Sequence, residues 1–120
     1  MPLGSKIMKK SRNSVAAAVL GTLLAAPLFA HAADIEQGRQ KADQVCASCH
    51  GKDGNTPIDP SYPRLAGQHA DYLRRAMLDY QTDQRKNAIM GAMAKQLSRA
   101  DVENLAAFYA SLPGPLSHRR

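Results

Sequence analysis

The chain has 120 residues, no tryptophan, few aromatic residues and a formal net charge of +6. Four of its bases (Lys6, Lys9, Lys10 and Arg12) fall in a stretch without acids before residue 33, so the remainder carries only +2. That near balance makes the raw charge weak evidence for nucleic-acid binding, which needs a basic stripe on the folded domain, and two cysteines are too few for a disulfide framework.

The N-terminus reads as a targeting segment. Met8-Lys9-Lys10-Ser11-Arg12 is a positive region, Val15 to Ala30 is an apolar run rich in Ala and Leu, and Ala30-His31-Ala32 is a small-x-small cleavage site. Together these predict a secretory signal peptide over residues 8–32. The apolar run is shorter than the roughly 20 residues of a membrane span, so no span is expected after cleavage; an uncleaved anchor is the competing reading. Residues 1–7 read as an expression leftover or a mis-called start. From Ala33 on, fewer than 90 residues remain, giving one small domain over 33–112 and a tail over 113–120. A domain this short buries only about 60–65% of its unfolded surface and needs a staple.

Asp34 is a suitable N-cap, with Gln37 three residues on as a capping-box partner, and Ile35, Ala42 and Val45 recur at near-helical spacing. Gly38 inside that helix costs up to about 1 kcal/mol against Ala, so it predicts close helix–helix packing. The helix runs into Cys46-Ala47-Ser48-Cys49-His50. This is C-x-x-C-H, the attachment signature of c-type haem. The two thiols can each form a thioether to one porphyrin, and His50 can present its imidazole to the iron. A thioredoxin-like dithiol needs a neighbouring βαβ pattern, which is missing. A zinc site needs four ligands, and His31, His69 and His118 are scattered singly. A structural disulfide would close a very tight loop.

Gly51 to Gly67 holds three glycines and three prolines, which is turn chemistry throughout. A loop this long in a compact domain is usually functional, and wrapping one edge of a haem would explain it. Gln68 to Gln81 is amphipathic, with His69, Tyr72, Leu73, Ala76, Met77 and Tyr80 on one stripe. Asn87 to Leu97 is a weaker helical stretch interrupted by Gly91. Ser98 caps a last helix with Asp101 in its first turn, its face formed by Val102, Leu105, Ala106 and Tyr109, and Pro113-Gly114-Pro115 ends it. The tail from Leu116 is expected to be unstructured, and the basic pairs Arg74-Arg75 and Arg85-Lys86 to be solvated.

A second axial ligand decides the chemistry of a His-bound haem. Met77 lies on the apolar stripe and reads as core filler. Met90 and Met93 both sit in the weak segment, and the residues alone leave the choice between them open.

Several strings carry a family resemblance: Cys46-Ala47-Ser48-Cys49-His50-Gly51, Asp53-Gly54-Asn55, Tyr62-Pro63-Arg64-Leu65-Ala66-Gly67-Gln68 with Tyr72-Leu73, then Arg85, Asn87, Met90, Met93 and Leu97-Ser98, and finally Leu105-Ala106-Ala107-Phe108-Tyr109. Over nearly its whole length beyond residue 32 the chain resembles a class I cytochrome c, most like a single-haem member of the bacterial cytochrome c4-like branch. The resemblance implies an all-α fold of about four helices wrapped around one covalently bound haem c. It implies Met90 as the methionine ligand opposite His50, with Met93 as packing. It also implies a Pro63 carbonyl that accepts a hydrogen bond from His50 Nδ1–H. Cytochrome c4 proper carries two haem domains, whereas this chain has one C-x-x-C-H.

The leading expectation is a periplasmic electron carrier, not an enzyme, that shuttles single electrons between respiratory redox proteins. Its partners would be a membrane quinol-oxidising complex, a terminal oxidase or a periplasmic dehydrogenase or reductase. Gly51, Lys52, Ala92, Ala94 and Lys95 are candidates for the exposed haem edge. The alternatives are a haem subunit permanently bound to a dehydrogenase or oxidase, and an enzyme or sensor with an open iron position.

Overall fold

The computed structural model describes residues 31–117, together with Leu3, Gly4 and Gly21. The expected signal peptide therefore lies outside the described residues, except for Gly21, His31 and Ala32, and so do residues 118–120. The described residues form an all-α domain without strands: α1 (Ile35–Val45), α2 (Ala47–His50), α3 (Ala70–Gln81), α4 (Ala88–Ala94) and α5 (Arg99–Ser111). Four of these are the expected helices, and α2 adds a single turn made by the C-x-x-C-H segment itself.

α1 packs on α5 because Gly38 lets it. A Cβ at Gly38 would run into the backbone carbonyl of Asn104 and come within 2.9 Å of Phe108 Cβ, so only glycine permits this crossing. The Asp34 carboxylate caps α1 by accepting from Gln37 N. The Gln37 side chain, however, donates to Asp34 Oδ2 at 3.1 Å instead of closing a capping box. Asp34 N–H is taken by Asn104 Oδ1 at 2.8 Å, a tie across the helix pair that replaces the local one. On α5, Ser98 and Asp101 do form the reciprocal box.

The core consists of Ala42, Leu73, Leu105, Ala106, Phe108 and Tyr109, flanked by Cys46, Leu65, Ala70, Met77, Leu97 and Leu112. Val102 and Leu105 are fully buried. Met77 is core filler, as its position on the stripe suggested. The rest of that stripe divides. Ala70, Leu73 and Met77 turn to the core, whereas Tyr72 is half exposed and faces Arg85, whose Nη1 donates to its hydroxyl at 3.3 Å. The two rows lie side by side on one helix, and α5 can cover only one of them. α3 begins at Ala70, not Gln68, because His69 is extended at ψ 132 and serves as the N-cap residue.

Two further expectations are corrected. Gly91 does not interrupt the fourth helix: it is buried inside α4, where a Cβ would meet Tyr80 O at an ordinary 3.9 Å. Nor is the chain unstructured at Leu116–Ser117. Asn55 Nδ2 donates to Pro113 O at 2.9 Å and Gly67 is in contact with Ser117, so this segment folds back onto the long loop. The basic pairs stay at the surface, with Arg75, Arg85 and Lys86 exposed; there Arg74 faces Glu103 at 3.6 Å, Arg75 pairs with Asp79 at 3.1 Å, and Arg85 lies 5.1 Å over the Tyr80 ring. Exposed pairs like the first two contribute little to stability, about 0–1 kcal/mol.

Candidate haem-binding site

α1 ends at Val45, and the backbone then turns through Cys46 into α2. His50 N and Cys49 N both donate to Cys46 O, at 3.0 and 3.2 Å, and Gly51 N donates to Ala47 O at 2.9 Å. These bonds hold the Cys–Cys–His segment as one helical turn, with Cys46 at its start and Cys49 and His50 at its end. Gly51 ends the turn at φ 84, where a Cβ would collide with Thr56 O. The Asp53 carboxylate then gathers Asn55 N, Thr56 N and the Thr56 hydroxyl, which fixes the start of the loop.

His50 is 6% exposed, and its Nδ1 lies 2.9 Å from Pro63 O. With the proton on Nδ1, His50 donates to that carbonyl and leaves the Nε2 lone pair available to a metal. A carbonyl placed this way fixes ring orientation and makes the imidazole a better ligand. The Tyr62 ring stands 6.2 Å away. Loop residue Ile58 is tied to the same turn, donating its N–H to Cys49 O at 3.1 Å.

Cys46 packs against the core, and burial pushes its thiol up to about 11, only partly offset by a hydrogen bond with Tyr109 and by the charge of Lys41. Tyr109 is raised in turn, first by burial and then by Cys46. The contact with Tyr109 joins residues 63 positions apart, and nothing local in the sequence announces it.

Met90 lies in the first turn of α4, half buried. Asn87 positions it by accepting from Ile89 N at 3.0 Å and from Met90 N at 2.9 Å. An Asn just before a helical stretch is an N-cap signal that could have found this role. Met93 is also half buried on α4. α4 packs on α3, so Met90 is carried by a different part of the fold from His50. Of the candidate edge residues, Lys52 and Ala92 are exposed. Ala94 is fully buried, and Lys95 is paired with Asp83 at 2.9 Å.

Apolar surface at this site fits a flat hydrophobic group. Ile58, hydrogen-bonded to the Cys49 carbonyl, is 71% exposed, and Ile89, beside Met90, is 54% exposed. Ile58, held open beside the turn that carries the two thiols and His50, is surface that a porphyrin would cover. Among the described residues no His/Cys/Asp/Glu group offers a competing metal site.

An all-α domain that presents two cysteines and a carbonyl-oriented histidine on one helical turn defines a c-type haem domain. The family described as "Cytochrome C oxidase, cbb3-type, subunit III" matches residues 33–108. The chain is 41% identical over 80 residues to cytochrome c4 of Thiocapsa roseopersicina, covering 67% of this chain and 41% of that protein. It is 41% identical over 83 residues to cytochrome c-554(548) of Halomonas halodenitrificans, covering 67% of this chain and 98% of that one. The reduced recombinant cytochrome c4 structure from Pseudomonas stutzeri superposes with a TM-score of 0.63 at 37% identity, over 69% of this chain and 47% of that one. The chain belongs to the c-type cytochromes as a cytochrome c4-like class I member, a family of electron-transfer proteins with covalently bound haem. It spans about two-fifths of the length of the cytochrome c4 from Thiocapsa.

Proposed function

We propose that this chain carries single electrons through one haem c, bonded at Cys46 and Cys49 and ligated by His50 and Met90. The observation that carries the reading is the buried His50 ring, held by Pro63 O at 2.9 Å on the turn that bears both cysteines. When bound, the haem supplies a reversible one-electron iron couple. His50, oriented by the Pro63 carbonyl, would supply an imidazole nitrogen to the iron, and Met90 on the Asn87-capped α4 would supply a thioether sulfur. Ile58, beside the haem turn, would supply apolar cover that keeps water from the porphyrin.

The reading extends to location and partners. The leader over residues 8–32 supports export, with haem attachment in the periplasm after cleavage. Partners would be other redox proteins, such as a quinol-oxidising complex, a terminal oxidase or a dehydrogenase, met through small transient contacts. No described helix is long and apolar enough to cross a membrane. The test is the mass and redox behaviour of the protein purified from an exporting host. The expected result is one haem per chain, retained after denaturation, with a leaderless N-terminus near Ala33 and a single reversible one-electron wave. Haem that dissociates on denaturation would overturn the covalent assignment.

A further inference from the structure

Gln81 ends α3, and its amide Nε2 donates to two backbone carbonyls at once: Ala94 O at 2.8 Å and Leu97 O at 3.0 Å. These carbonyls lie where α4 stops and the chain turns towards α5, and Leu97 N bonds back to Ala94 O at 3.0 Å. One side chain thus closes the 82–97 segment that contains Met90. Other ties join the segment to α3 or across itself. Arg85 reaches Tyr72 and Tyr80, and Lys95 Nζ binds both Asp83 carboxylate oxygens at 2.9 and 3.0 Å.

We propose that Gln81 is a positioning residue for the Met90 sulfur: by fastening the C-terminal end of α4 to α3, it sets how readily that sulfur leaves the iron. The inference rests on Met90 being the ligand. Gln81 is singled out because the Lys95–Asp83 pair is 50% and 66% exposed, a setting in which ion pairs contribute little. The Gln81 bonds are partly buried and go to main chain, so losing them leaves two carbonyls short of a donor. Gln81 is not one of the core cluster residues, so its loss should free α4 without loosening α1 on α5.

The test uses ferric holoprotein titrated with imidazole, an exogenous ligand that must displace the thioether. Gln81→Glu keeps the shape but, ionised, donates neither bond; Gln81→Met removes the polar group. Each variant should raise imidazole affinity by about tenfold, as expected for one or two lost hydrogen bonds. Amide hydrogen exchange should quicken across Ala88–Ala94, while α1 and α5 keep their protection. Lys95→Met, breaking the exposed pair, should change the affinity by less than about threefold. Unchanged affinity and exchange in both Gln81 variants overturns the proposal. So does failure of both to hold haem, which would make Gln81 a general folding residue. If only Gln81→Met fails to fold, Gln81→Glu decides. Met90→Ala separates the two layers. If it leaves imidazole affinity unchanged, the ligand reading itself falls. If it raises affinity while neither Gln81 variant does, only the Gln81 proposal falls.

Discussion

The two sides of the candidate haem site are built differently. The His50 side is an extension of the α1–α5 core: its turn is closed by backbone hydrogen bonds, its ring is buried, and Cys46 packs against Tyr109 and its neighbours. The Met90 side is a seven-residue helix preceded by exposed residues and held by an Asn cap, a glutamine clasp and a surface ion pair. Helices this short have little intrinsic stability, so α4 depends on those ties. The two sides therefore divide: His50 is fixed by the fold, whereas Met90, the proposed second ligand, is carried by a segment that can open locally at lower cost than global unfolding.

The largest effect should come from the core side. Gly38→Leu places a side chain against Asn104 O and Phe108 Cβ. It is expected to cost about 3 kcal/mol or more, seen as loss of the cooperative thermal transition or failure to accumulate holoprotein. A Gly38→Leu holoprotein as stable as its parent would show that the close α1–α5 crossing does not support the site.

Asn87→Ala should cost about 1 kcal/mol, but unevenly. Exchange should rise in α4, and the ligand on the Met90 side should become easier to displace, with little change in α1. Equal loosening of both regions would erase the contrast between them.

A smaller effect is expected from acid. Asp101 is pushed up by partial burial, but its hydrogen bonds with Ser98 and its pairing with Lys41 outweigh that and hold its carboxyl below the ordinary range. A depressed carboxyl contributes stability that is present above the unfolded value, near pH 4, and lost as pH falls through the folded one. Stability should therefore decline below about pH 4, and Asp101→Asn should flatten part of that decline. Denaturant midpoints at pH 3 and pH 7 would show it.

Much of this was legible from local signals. C-x-x-C-H marks the haem turn, Asp34 and Ser98 mark helix starts, and Gly38 marks a crossing, because each obeys short-range chemistry. The α3 stripe was only half readable, since periodicity groups Tyr72 with Leu73 but only tertiary packing says which row α5 covers. Gln81, Asn104 and Tyr109 act on residues 13 to 70 positions away, and sequence spacing carries no trace of such contacts. Met90 and Met93 are likewise not separable by composition, since both are half buried on one short helix, and only the family resemblance favours Met90.

The central claim is tested most directly by the weak long-wavelength charge-transfer band that a thioether gives on ferric haem, recorded for the parent, Met90→Ala and Met93→Ala. The account predicts the band in the parent and in Met93→Ala and its loss in Met90→Ala. A band that survives in Met90→Ala and disappears in Met93→Ala, or one absent from the parent, would contradict it.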